Sequence, residues 1–373
     1  MQLISYLTTI GFGAKALAHL PTFMAELAIT RPFVVSDKGI EAAGLLSQLN
    51  AVIGAGVPTF LEVPTNPTEA AVLAALEAYK AAGCDGIIAF GGGSSIDLAK
   101  AVALLATHPG PLAPYAAILG GIPKIGAVAP LIAIPTTAGT GSEVGRAALI
   151  TLADGRKLGF ISPHLIPARA ICDPELTLNL PPWLTAATGL DALSHCIETY
   201  LSPRFNPVAE AIALDGFARL WAAIPRVYAN GQDLEARSEV MMGALQGGLT
   251  FQKGLGAVHA LSHALGGLEQ LKLHHGTLNA LLLPPVLRWN ASAAPEKMAR
   301  LAAAINLPTG TDLAQAIEAL NRDLGITTSL SGLGFTEALI PWVCARALED
   351  HSHATNPRAT SAEDYAALLR AVF

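Results

Sequence analysis

Charged residues are scarce in this chain. Asp, Glu, Lys and Arg make up 14% of its 373 residues and balance at −6. So thin a supply of basic side chains excludes nucleic acid as a main partner, because gripping a phosphate backbone takes a basic face. Long apolar runs are missing too. Hydrophobic residues reach 52%, much of it alanine, yet no uninterrupted run attains the ~18–20 residues needed to span a bilayer. No membrane partner is expected. Cysteine is limited to Cys84, Cys172, Cys196 and Cys344, with no CxxC pair. That argues against a disulfide framework and for buried, reduced thiols in a cytoplasmic protein. The opening stretch MQLISYLTTIGFGAKALAHL lacks an early basic cluster followed by an apolar core and a cleavage site. It reads as mature sequence, an edge strand followed by a helix.

The length suffices for two domains with separate cores. In the first half, short apolar strands alternate with alanine-rich helices. RPFVVSD is a strand ending at Ser36–Asp37. Thr68 is placed to cap a helix running to about Gly83. CDGIIAFGGGSSIDLAKAVALLA is strand, glycine turn, helix, and PLIAIPTTAGTGSEV is a strand followed by a polar loop. Such alternation predicts a parallel sheet with helices on both faces. At Pro181–Pro182 the texture changes, and nearly everything beyond reads as helix. The expected division is an α/β domain over 1–180 and an all-helical domain over 181–373.

Gly91-Gly92-Gly93-Ser94-Ser95 lies between a strand and a helix. Glycines allow close backbone approach to a phosphate, and the helix N-terminus supplies free N–H groups and a positive dipole end. Ser94 and Ser95 add hydroxyls, and Asp97 and Lys100 follow on the first turns. The run is not GxGxxG, so a ligand-free turn is an equal reading of the glycines alone. A second hydroxyl-rich loop, Thr136 to Glu143, also follows a strand, and ligands of open parallel sheets bind beyond the strands' C-terminal ends. Asp37, at the end of its strand, suits an adenosine ribose and would repel a 2′-phosphate, favouring NAD over NADP. The alternative is a plain turn aspartate before Lys38-Gly39.

In the second half, Asp191 and His195 are four apart in TGLDALSHCIE, on one face of a helix. His259 and His263 are four apart in KGLGAVHALSHALGG, and His275 opens HGTLNALLLP. One carboxylate and three imidazoles (Asp191, His195, His259, His275) suit Fe²⁺ or Zn²⁺, with a position left for substrate. A single Asp/His pair also suits a surface ion pair. The gathering of His259, His263 and His275 in short apolar, glycine-flanked stretches favours a shared site. Cys196 adjoins His195 but points off the Asp191/His195 face.

Taken together, these stretches resemble the iron-dependent (group III) alcohol dehydrogenase family over essentially the whole chain. The resemblance rests on GGGSSIDLAK (91–100), PTTAGTGSEV (135–144), the Asp191/His195 pair, the HALSHALGG stretch from 259, HHGTLNALLLP (274–284) and TNPR (355–358). SDKG, GRKLGF, CDPELTL, FQKGLG and LHHGTLNALLLP are most similar to members acting on 4-hydroxybutyrate. The resemblance implies a dinucleotide-binding α/β domain, a helical metal domain, an active site between them and a homodimer. It carries the metal ligands onto Asp191, His195, His259 and His275, the last because the family ligand precedes a glycine; His274 competes for that place. It makes His263 a non-ligand active-site histidine. Cofactor-contacting positions fall on Gly92, Gly93, Ser94, Asp97, Thr136, Thr137 and Leu178, with Lys157 and Asn66 lining the cofactor cleft.

The chemistry implied is reversible, metal-assisted hydride transfer between an alcohol and NAD. His263 is either a proton relay or packed within the bundle. Departures from the family pattern bear on substrate. Gly145-Arg146-Ala147 follows GSEV, Lys253 precedes GLG, and His351 and His353 precede TNPR. Arg146 suits a substrate carboxylate, with Lys253 and His353 as further anion partners. That favours an ω-hydroxy acid such as 4-hydroxybutyrate, oxidised to succinic semialdehyde. Small diols, aldehydes or another hydroxy acid are the alternative, and a nucleotide-binding sensor without turnover is the non-enzyme reading.

Overall fold

A computed structural model describes residues 8–373 except residue 309. Residues 1–7, the start of the expected N-terminal strand, lie outside the described residues. The chain forms two compact units that meet in sequence at Asn179–Leu180.

The first unit contains β1 (Thr9–Phe12), α1 (Leu20–Glu26), β2 (Pro32–Val35), α2 (Lys38–Ala42), α3 (Leu45–Ile53), β3 (Thr59–Phe60), α4 (Glu69–Ala81), β4 (Gly86–Gly91), α5 (Gly93–Thr107), β5 (Leu131–Pro135), β6 (Ala147–Thr151), β7 (Lys157–Ile161) and β8 (Arg169–Cys172). Six strands pair in the order β1-β8-β5-β4-β2-β3, all parallel, with β1 on an edge. Apart from Arg169 at the start of β8, the inner strands are apolar because both faces are covered. Phe33, Val35, Ile87, Ala89 and Ala133 join the core built with α4 and α5. Their neighbours Val34, Ile88, Phe90, Ile132 and Ile134 join the core on α1 and α3. Strand alternation thus feeds two separate cores. Helix α4 begins where the sequence predicts: Thr68 Oγ1 accepts from Ala71 N at 3.3 Å, and Gly83, with φ +62, follows its end.

The β6–β7 pair departs from the expected parallel pattern. It is an antiparallel hairpin whose turn holds Gly155 at φ +80, with Asp154 Oδ1 accepting from Arg156 N at 3.0 Å. The Asp-Gly between two apolar runs is an ordinary hairpin signal. A polar tie fixes the loop leading into this hairpin. Lys100 on α5 is fully buried, and its Nζ donates to Ser142 Oγ (2.8 Å), Gly145 O (2.9 Å) and Ala147 O (2.8 Å). Ser142 Oγ donates to Asp97 Oδ1 at 2.6 Å, and Leu149 N donates to Asp97 Oδ2 at 3.0 Å.

The second unit is helical: α6 (Pro182–Leu201), α7 (Pro207–Ala229), α8 (Leu234–Leu249), α9 (Ala257–Gly266), α10 (His275–Asn290), α11 (Pro295–Ala304), α12 (Leu313–Asp323), α13 (Ile340–Glu349) and α14 (Ala362–Arg370). Helix α6 packs against α7, α8 and α10 and is buried without a break from Thr185 to Leu201. A helix covered all round has no polar face, so its polar residues need internal partners.

The buried loop charges generate a pH prediction. Burial lowers Lys100 to about 8, opposed by Asp97 and Glu143. Burial also raises Glu143 from 4.5 to about 7, opposed by its own backbone N–H and by Lys100. Between those pH values the folded chain keeps a proton that the unfolded chain releases, so Glu143 costs stability progressively as pH climbs from about 4.5 to about 7. Glu143→Gln removes that cost. Thermal unfolding at pH 8 is expected to show a stabilisation approaching about 3 kcal/mol, with little difference near pH 5. A gain of equal size at both pH values would contradict this.

Candidate metal centre and cofactor-binding loops

The metal candidate is built on α6. One helical turn separates Asp191 from His195, and His195 Nε2 lies 3.4 Å from Asp191 Oδ1. His259, in the first turn of α9, brings its Nε2 to 3.6 Å from the same oxygen. His275, the first residue of α10, does so at 3.6 Å as well. Gly276 makes this approach possible, since a Cβ there would run into the Ala187 carbonyl of α6. Four donors at ~2.1 Å around a cation in tetrahedral array stand about 3.4 Å apart. The three separations from Asp191 match that edge; donor atoms of Asp191, His195 and His259 all lie within 4.8 Å of one another, a fit to a divalent first-row ion, and His275 reaches the same Asp191 oxygen. Burial would raise the Asp191 carboxyl, but the imidazoles of His195, His275 and His259 outweigh it and hold it far below the usual carboxylate range. His274 faces elsewhere: it caps α10, its Nδ1 accepting from Thr277 N at 3.4 Å, and its ring meets Trp183 edge-on.

Glu198 was not singled out in the sequence, although it lies seven residues past Asp191 on the same face of α6. Its Oε1 accepts from Val258 N at 2.7 Å, and its Oε2 accepts from His259 Nδ1 at 2.6 Å. The carboxylate thereby orients the His259 ring and leaves Nε2 towards Asp191, the usual support of a metal-bound imidazole. Burial would lower His259, yet hydrogen bonds to Asp191 and Glu198 raise it to about 9. Two buried carboxylates thus make this a place that favours positive charge.

His263 packs among other histidines. Its ring stacks on His275 at 5.4 Å with a 9° tilt, and its Nδ1 shares a 3.0 Å hydrogen bond with Asp350 Oδ2. Asp350, also missed, is held well below the carboxylate range: burial raises it, and the charges of His263 and His351 more than compensate. Lys253 does not sit where a substrate anion partner should. It is fully buried, and its Nζ donates to the carbonyls of Thr199 (2.9 Å), Tyr200 (3.2 Å) and Ser202 and pairs with Glu210 at 3.2 Å. Those carbonyls end α6, where helix acceptors have no partner of their own. The lysine is a helix cap. His353 is turned to Tyr365, Nδ1 to hydroxyl 2.9 Å. Cys196 points at Gly243 O, away from the ligand face, and burial raises its thiol.

The cofactor candidates gather at the C-terminal ends of β2, β4 and β5. Helix α5 begins at Gly93 with no side chain capping it, leaving its first N–H groups available to an anion. A Cβ on Gly93 would meet Thr140 Cγ2 at 2.6 Å, so glycine lets the two loops touch. Ser36 and Thr136 follow β2 and β5, the strands on either side of β4, with buried hydroxyls that have no hydrogen-bond partner. Orphaned polar atoms beside an uncapped helix end fit a dinucleotide better than a closed turn. Asn66 and Lys157, far apart in sequence, meet: Lys157 Nζ donates to Asn66 Oδ1 at 2.9 Å. Ser94 Oγ donates to Thr65 O. Asp97 is spent on the loop tie above. Asp37 caps α2, its Oδ1 accepting from Gly39 N (2.9 Å) and Ile40 N (3.1 Å), and Ser95 Oγ donates to its Oδ2 at 3.2 Å. Thr137 lies beside Gly92. Leu178 follows the 3-10 turn Pro174–Thr177 and is half-buried. Arg146 is half-buried in the loop fixed by Lys100.

Residues 8–174 match the iron-containing alcohol dehydrogenase family model, and residues 185–373 match that of the C-terminal region of the Fe-containing family. The chain is 53% identical over 378 aligned positions to a 4-hydroxybutyrate dehydrogenase of Cupriavidus necator, covering 99% of each chain. Among solved structures, a 1,3-propanediol oxidoreductase matches with a TM-score of 0.93 and 34% identity, covering 100% of both chains. A sulfoacetaldehyde reductase of Bifidobacterium kashiwanohense in complex with NAD⁺ matches with a TM-score of 0.90 and 27% identity, covering 100% of this chain and 98% of the other. The chain belongs to the iron-containing alcohol dehydrogenase family.

Proposed function

We propose that this protein is a metal-dependent, NAD-linked dehydrogenase that interconverts 4-hydroxybutyrate and succinic semialdehyde. The observation that carries the reading is the convergence of three imidazoles on the single buried oxygen of Asp191. Identity of 53% along the whole length to a protein named 4-hydroxybutyrate dehydrogenase supports the substrate. A structural neighbour named for an anionic aldehyde and holding NAD⁺ supports both the cofactor and a charged substrate.

Asp191, His195, His259 and His275 would hold Fe²⁺, and the same donors accept Zn²⁺. The α5 N-terminus, Gly92, Gly93, Ser94, Thr136 and Thr137 would hold the dinucleotide, with Asp37 favouring NAD over NADP. When bound, the cation would supply Lewis-acid polarisation of the alcohol oxygen and NAD⁺ would be the hydride acceptor. The chain's own residues do the rest. Glu198 fixes the His259 ring. His263, paired with Asp350, receives the proton the substrate hydroxyl gives up. Arg146 pairs with the far carboxylate of the substrate, a bidentate contact a neutral alcohol lacks. We place the enzyme in the cytoplasm as a homodimer. Among the described residues no helix is long and apolar enough to cross a membrane.

Two measurements test this reading. Arg146→Ala should raise KM for 4-hydroxybutyrate at least tenfold while changing KM for a neutral primary alcohol little. Equal effects on both substrates would remove the carboxylate role. Glu198→Gln should weaken Zn²⁺ or Co²⁺ binding by about 10–100-fold in chelator competition, because His259 loses its orienting carboxylate. Unaltered affinity would show that packing alone holds the ring.

A further inference from the structure

Asn279 lies one turn beyond His275 on α10 and is fully buried. Its Nδ2 is 2.6 Å from Asp191 Oδ1, 3.2 Å from His259 Nε2 and 3.1 Å from His275 Nε2. One amide nitrogen therefore faces three of the four atoms assigned to the cation. With two hydrogens it serves the carboxylate and one imidazole at a time. The other end of the same amide has nothing: Oδ1 is buried and has no hydrogen-bond partner. A buried carbonyl oxygen left in that state costs free energy, and such groups are rare in native structures.

Turning the amide over would exchange one conflict for another. It would set the amide oxygen against Asp191 Oδ1, two acceptors with no proton between them. A divalent cation reverses the balance. It claims the Asp191 oxygen that Nδ2 now serves, and N–H groups aimed at a positive ion are repelled where a carbonyl dipole is attracted.

We propose that Asn279 is a two-way member of the metal centre. Without a cation its Nδ2 holds Asp191, His259 and His275 aimed at one point. With a cation, a half-turn about χ2 directs Oδ1 to the ion as an added oxygen donor. This rests on the metal-centre reading above and extends the site by one residue.

The test uses the full-length protein stripped of metal, with Co²⁺ and Zn²⁺ affinities measured by competition against a chromogenic chelator. Asn279→Leu keeps the shape and removes both polar atoms. Asn279→Asp presents an oxygen in either orientation. The leucine variant is expected to bind 10–100-fold more weakly, and the aspartate variant as tightly as the parent or more so. A leucine variant that binds as tightly as the parent, or an aspartate variant that binds tenfold more weakly, overturns the proposal. Should circular dichroism show that the leucine variant does not fold, the aspartate variant decides alone. A parent protein that takes up no stoichiometric Co²⁺ would instead sink the metal-centre reading itself. A leucine variant matching a parent that does bind would leave that reading standing and remove only Asn279.

Discussion

A carboxylate buried in the middle of a helix is the constraint on which this helical unit turns. Asp191 lies on α6 where every neighbouring residue is covered. A charge so placed is tolerable only with close counter-charges and hydrogen bonds. His195 from the same helix, His259 from α9, and His275 and Asn279 from α10 all come to its Oδ1. Meeting that demand draws three helices together at one atom. It also explains the glycine after His275, without which α10 would not reach α6.

A second layer holds the first in place. Glu198 steers His259, Asp350 steers His263, and Lys253 closes the end of α6 on which Asp191, His195 and Glu198 ride. Positioning matters in such a centre because donor atoms displaced by a fraction of an ångström bind a cation poorly. The α/β unit follows the same logic. Lys100, Asp97 and Ser142 pin a glycine-rich loop that apolar packing alone would leave loose, while the hydroxyls of Ser36 and Thr136 stay unspent at the strand ends.

Much of the fold was legible in the residues because it depends on local patterns. Two-sided apolar strands, Thr68 as a cap and the glycine turn before α5 are short-range signals, and each is found in place. The Asp191/His195 pair was legible for the same reason, since one helical turn sets its geometry. Lys253 misled because a cation near a family motif looks like a substrate contact. Helix-end carbonyls contributed by Thr199 and Tyr200 cannot be read from spacing. The β6–β7 hairpin announced itself in Asp154-Gly155 and was overshadowed by the strand–helix rhythm around it.

The chain's residues alone determined which elements form, which helix faces carry donors, and that one carboxylate and three imidazoles are available to a metal. These follow from periodicity and chemical type, which act over a few residues. Tertiary structure decided that His275 and not His274 turns towards Asp191, that Glu198 and Asn279 reach His259 and Asp191, and that Lys253 caps a helix. Each outcome depends on which atoms of distant segments come within hydrogen-bond reach, and only packing brings Asn279 on α10 to within 2.6 Å of Asp191 on α6.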